Sequence, residues 1–175
     1  MEKKNNRLTN IIKDLASNEE KKVLTAIKQL RKHGKREALI PLIEVLASSA
    51  NEDIKTQILS LLIDLKDQSV VEDLILAIEN DQFAELRPTL ISILWQSNLN
   101  ASEYLSSLIN QAIHGDYMTA VEVMTVVDSF DDTFHEADVE ELKFDLDDAI
   151  AGAEAEKAKL LQGLRMSLDQ LPLEF

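Results

Sequence analysis

Cysteine is absent from the 175-residue chain, which excludes disulfides, thiolate metal sites and a thiol nucleophile. Glycine occurs four times and proline three times. Turn-rich β architectures need many more of both, so this scarcity points to helix. No apolar run approaches the roughly 20 residues of a membrane-spanning helix. The opening "MEKKNNRLTNIIKDL" has charge but no apolar stretch of the signal-peptide kind, so a cytoplasmic chain is the expectation. The motifs HExxH, GxSxG, GxGxxG and the P-loop are also missing, which disfavours an enzyme.

What is present is globular in character: 45% hydrophobic and 29% charged residues, enough for one domain with a core and too little for two ordinary ones. The formal net charge of −14 is unevenly spread, because residues 1–37 hold eleven Lys/Arg against five Asp/Glu and residues 38–175 hold seven against twenty-seven. A basic head followed by an acidic body repels nucleic acid and anionic membranes over most of its surface and attracts basic partners.

Apolar residues recur at three- and four-residue spacing along almost the whole chain, which predicts successive amphipathic helices joined by short polar loops such as "KDQS" and "ENDQ". The helices repeat. Moved by 32 residues, Leu39, Leu42 and Leu46 fall on Val71, Leu74 and Ile78. Moved by a further 34, Val71, Leu74 and Ile75 fall on Leu105, Leu108 and Ile109. One more step of 34 reaches Val139, Leu142 and Lys143, where the last match fails. An amphipathic helix pair of this size cannot bury its face alone, whereas stacked pairs build a continuous core. Pro41 and Pro88 fall early in their helices, where a missing amide costs little.

The segments "KKVLTAIKQLRKHGKREALIPLIEVLAS" and "EDIKTQILSLLIDLKDQSVVEDLILAIEND" resemble HEAT repeats, and "ELRPTLISILWQ", with Arg87 near its start, is similar to that family's first helix. The likeness covers residues 19–114 well and the next pair loosely, since "DSFDDTFHEAD" is a long turn for the family. The resemblance implies an all-α fold, a right-handed α-solenoid of about four HEAT-like helical hairpins with N- and C-terminal capping helices. The expected single helical-repeat domain spans 1–175: a short helix 6–17, repeats at about 19–49, 51–80, 82–114 and 116–151, and a C-terminal helix 153–170. It also implies a non-catalytic scaffold or adaptor that binds a protein segment on a concave face formed by the second helices. Carried over by repeat position, the partner-binding stripe is Ile40, Glu44, Glu72, Leu76, Ser106, Asn110, Glu140, Phe144 and Asp148. Its mixture of acids and apolar residues suits a basic and aliphatic partner segment.

Residues 128–149 hold ten carboxylates, one lysine and one histidine. Val139, Leu142, Leu146 and Ile150 mark one helix face there, with the acids around the others. Asp138 reads as an N-cap with Glu141 three residues on, a capping box. A solvated face or a docking surface explains the acids. A cation site at Asp131, Asp132, His135 and Asp138 lacks the acid spacing and turn glycine of a calcium loop, so neither metal nor cofactor is expected. The run Arg31, Lys32, His33, Lys35, Arg36 is a lone basic turn, with Gly34 as a helix C-cap, and no nucleic-acid partner is expected from it. His33, His114 and His135 stand at unrelated spacing, and Trp95 reads as core. Two rival roles stay open. One is self-association of basic head with acidic body, dissolved by salt; the other is a helical-repeat enzyme or metal-dependent protein centred on His135. The tail "LDQLPLEF" reads as packed on the last helix.

Overall fold

The structure is a computed structural model, and it describes residues 2–33 and 36–174. The fold is all-α. Its helices are α1 (Glu2–Leu15), α2 (Glu20–His33), α3 (Leu39–Ser48), α4 (Glu52–Ile63), α5 (Val71–Glu79), α6 (Arg87–Gln96), α7 (Leu105–His114), α8 (Tyr117–Val127), α9 (Glu136–Gly152) and α10 (Ala155–Leu168). Two short strands, β1 (Phe134–His135) and β2 (Leu173–Glu174), pair in parallel. Contacts gather in two compact units, residues 1–77 and 78–175, with the border inside α5.

In the first unit, α1 packs on α2 and α3, and α4 packs on both α2 and α3. The core comes from the spacing read in the sequence: Ile27, Leu42, Ile43, Ile58, Leu62 and Leu74 are all close to fully buried. In the second unit, α6 packs on α8, α7 on α8 and α9, and α10 on α8 and α9. Leu90, Ile93, Leu108, Val123, Leu146 and Leu164 are fully buried there. The buried line of α8 is Ala120, Val123, Val126 and Val127, whereas the sequence spacing favours Val121, Met124, Val127 and Phe130. Val121, Met124 and Phe130 are half-buried.

The loops start helices by one recurring device. Asn51, Asp67, Asn80, Asn100 and Asp116 each accept a backbone amide from a residue two or three positions on, at 2.7–3.1 Å, so first-turn amides are satisfied before the helix pairs them. 3-10 segments at 36–38, 68–70, 81–86 and 102–104 then lead into α3, α5, α6 and α7. Pro41 is the third residue of α3 and Pro88 the second of α6, where the absent amide has no helical partner to lose. At the end of α6, Asn98 takes a left-handed φ of 56°. Its amide bonds Trp95 O, and the Leu99 amide bonds Leu94 O, which closes the helix as a Schellman turn with Leu99 buried beneath it. The expected C-cap Gly34 lies outside the described residues. Gly115, between α7 and α8, leaves no room for a Cβ, which would stand 2.6 Å from both Gln111 O and the Thr119 methyl.

Two side chains reach the orphan carbonyls at helix ends. Arg87 Nε donates to Ile78 O near the end of α5 at 2.8 Å, and Lys157 Nζ donates to Ile113 O and Gly115 O at the end of α7, both at 2.6 Å. Cations at helix C-termini also suit the helix dipole.

Replacing Ile58 or Leu108 by alanine should each cost about 2–5 kcal/mol in equilibrium denaturation, because each deletes several fully buried carbons. Leu76→Ala should stay within about 0.5 kcal/mol of wild type, since that side chain is 57% exposed.

Candidate functional site

Eight of the nine stripe positions lie on exposed surface, and Ile40 is half-buried. Ile40, Glu44, Glu72 and Leu76 belong to α3 and α5 of the first unit. Ser106, Asn110, Glu140, Phe144 and Asp148 belong to α7 and α9 of the second, two helices that pack on each other. The two apolar members are the informative ones: Leu76 is 57% and Phe144 73% exposed. Each stands four residues after a glutamate, Glu72 and Glu140, so each pair shares one face of its helix.

Both glutamates are held by cations. Glu72 accepts from Arg36 Nη2 at 2.8 Å, and the same guanidinium donates to both oxygens of Asp73. The hydrogen bonds to Asp73 and then Glu72 raise the Arg36 pKa above its ordinary value, and the Arg36 hydrogen bond holds the Asp73 carboxyl below the usual carboxylate range. Glu140 accepts from Lys143 Nζ at 2.8 Å, and Lys143 also donates to Asp169 at 2.8 Å. Lys143 is the residue at which the aliphatic repeat failed. Its side chain is only 8% exposed, so the stem fills the aliphatic position while the ammonium meets two carboxylates at the surface. Asp169, then Glu140, raise the Lys143 pKa, and Lys143 in turn lowers that of Asp169. Arg165 pairs with Asp147 and Asp169. The crossed partners 143 with 169 and 147 with 165 make α9 and α10 antiparallel.

The acidic stretch divides into a loop and a helix face. The helix begins earlier than a capping box at Asp138 requires: His135 is its N-cap, with no side-chain cap bond, and Asp138 is a first-turn acid. The reason lies at the other end of the chain. Phe134 N donates to Pro172 O at 2.9 Å, and β1 pairs with β2, which sets the backbone just before α9. The tail therefore returns to the α8–α9 loop, instead of only covering the last helix as the sequence suggested. His135 Nδ1 stands 3.4 Å from Glu174. Two loop acids serve as acceptors, Asp132 from Asn100 at 2.8 Å and Asp128 from Ser167 at 2.5 Å. Among the described residues no group of His, Asp and Glu is arranged to hold a metal ion. Beside this loop lies an open groove of about 430 Å³, with Leu105, Val139 and Leu142 in its lining and Glu103, Asp138, Glu141, Asp145 and Glu174 at its rim.

Sequence reasoning missed two features here. Trp95 is not core: it is 41% exposed, and its indole N–H donates to Glu122 at 2.8 Å. Trp95 follows four fully buried neighbours at 90, 91, 93 and 94, so an all-round apolar helix gave no periodicity to place it. The two arginines of the basic cluster brace the fold. Arg31 pairs with Asp64 and donates to Ser60, and Arg36 is committed to α5. Lys35 and the side chain of His33 lie outside the described residues. His114 ends α7 and His135 precedes α9, in separate places. No helix among the described residues is long and apolar enough to cross a membrane.

Comparison with protein-family models, with curated proteins and with solved structures finds no match to this chain.

Replacing Lys143 by methionine keeps the stem and removes the charge, and its partners Glu140 and Asp169 are exposed enough to hydrate. The variant should stay within about 1 kcal/mol of wild type at neutral pH. Asp169 has a depressed folded pKa, so its contribution is complete above the ordinary carboxylate value of about 3.9 and is lost as pH falls through the lowered one. Lys143→Met removes the largest cause of that depression and leaves the one from Arg165, so its thermal midpoint should fall less steeply than wild type on going from neutral pH to about pH 3.

Proposed function

We propose that this chain is a non-catalytic protein-binding scaffold or adaptor, built as HEAT-like helical hairpins, whose partner docks on the exposed faces of the second helices. The observation that carries this reading is the placement of Leu76 and Phe144. Both are large apolar side chains left in solvent on α5 and α9, 68 residues apart, and each follows a cation-held glutamate by four. Neither is needed to fill the core, and exposed apolar anchors ringed by polar groups are what interfaces use. Because Glu72 and Glu140 are neutralised within the chain, Leu76 and Phe144 are the expected source of affinity. Glu44 and Asp148, which form no ion pair among the described residues, supply attraction for basic side chains of the partner.

Affinity capture from a lysate of the source cells tests this. A defined partner should bind wild type and be lost, by roughly thirtyfold in affinity, from Leu76→Ser/Phe144→Ser, since interface anchors are worth about 2 kcal/mol or more. Met118→Ser, at another exposed apolar position, on α8, should retain it. Capture that ignores the double substitution, or that follows Met118 instead, overturns the assignment of the face.

A further inference from the structure

The charge asymmetry becomes sharper when counted by compact unit. Residues 1–77 contain thirteen Lys/Arg and twelve Asp/Glu, close to balance, whereas residues 78–175 contain five and twenty. Four of those five cations are committed inside the second unit: Arg87 and Lys157 on helix carbonyls, Lys143 and Arg165 on carboxylates. The acid surplus of that unit therefore has almost no cation of its own left to meet it.

Two helix edges carry the consequence. On α9, Asp138, Glu141 and Asp145 follow one another at three and four residues, so they form a single exposed line. None of the three has an ion-pair partner among the described residues. On α2, Lys21, Lys28 and Lys32 follow at seven and four residues and also form one exposed line. They too lack an ion-pair partner among the described residues, although Lys22, Arg31 and Arg36 all have one. A seven-residue step, about 10.5 Å along a helix, separates Lys21 from Lys28 and Asp138 from Asp145.

We propose that copies of this chain associate head to tail, with the α2 lysine edge of one copy seated on the α9 acidic edge of another. The two edges are different, oppositely charged surfaces, so every copy carries both halves of the contact. Exposed ion pairs are individually weak, so the association is weak and concentration-dependent. The sign of its salt dependence is diagnostic. General repulsion between chains of net charge −14 is relieved by salt and would make association rise with it, whereas seated opposite edges come apart as salt is added.

Sedimentation velocity over a range of protein concentration, at about 0.01 M and about 0.15 M salt, reads this directly. Wild type should show a weight-average mass above the monomer that grows with concentration and falls on adding salt, with a change in dissociation constant on the order of tenfold. Lys21→Glu/Lys28→Glu/Lys32→Glu should be monomeric, and so should Asp138→Lys/Glu141→Lys/Asp145→Lys. Mixed, the two variants should associate again, because each supplies the edge the other has lost. This rescue also excludes misfolding as the cause of either monomer. A monomer at every salt and concentration overturns the proposal, as does association that strengthens with salt. Absence of rescue in the mixture, or a change in stability without a change in mass, overturns it as well. Partner capture through Leu76 and Phe144 uses other side chains, so its outcome is read separately.

Discussion

A helix leaves its first four amides and last four carbonyls without partners of its own, and α3 to α8 have only 9–12 residues each. In such helices roughly a third or more of the backbone polar groups lie at the ends, and leaving them unpaired inside a packed unit would be costly. The solutions recur along the chain. A loop Asn or Asp receives the incoming amides, a 3-10 segment tightens the entry to α3, α5, α6 and α7, and a long basic side chain is drawn onto outgoing carbonyls. With ends settled this way, the loops can be short, and short loops keep sequential helices in contact so that each aliphatic face finds a neighbour.

That arrangement draws on a scarce resource. Residues 78–175 hold five cations, and the fold takes most of them for helix ends and for the α9–α10 clasp around Asp169. The surface left behind is acidic because the fold uses the bases, not only because acids are numerous. The first unit shows the opposite allocation. Arg31 and Arg36 brace α4 and α5, yet enough lysines remain that one edge of α2 stays basic.

Helices and most of their buried faces, that of α8 excepted, were legible because a 3.6-residue period depends only on neighbours along the chain. Leu42, Leu74 and Leu108 are spaced by that logic, and all three are buried. What escaped depends on partners far away in sequence. The start of α9 is set by a strand pair with residues 173–174, so Asp138 and Glu141 could not reveal that they stand inside the helix and do not cap it. Trp95 is placed by Glu122, 27 residues on, in a helix whose neighbours are apolar on nearly every side. Lys143 looked like a break in the repeat because its charge was weighed and its four-carbon stem was not.

Leu76 and Phe144 bear on function because the packing does not account for them. The position 34 residues after Leu76 is Asn110, exposed on α7 without disturbing its core, so a polar side chain is acceptable to the fold at that point of a second helix. An apolar residue in solvent earns no burial there, and a cluster of them invites unwanted contacts. The proposed docking role would account for an exposed apolar residue on each of these two helices, which core packing does not. On α9, exposed Phe144 supplies apolar area, and the neighbouring line Asp138, Glu141 and Asp145 supplies charge. In the proposed reading one helix offers both an apolar anchor and an electrostatic edge, and the two are told apart by salt: the charged edge is screened, the apolar anchor is not.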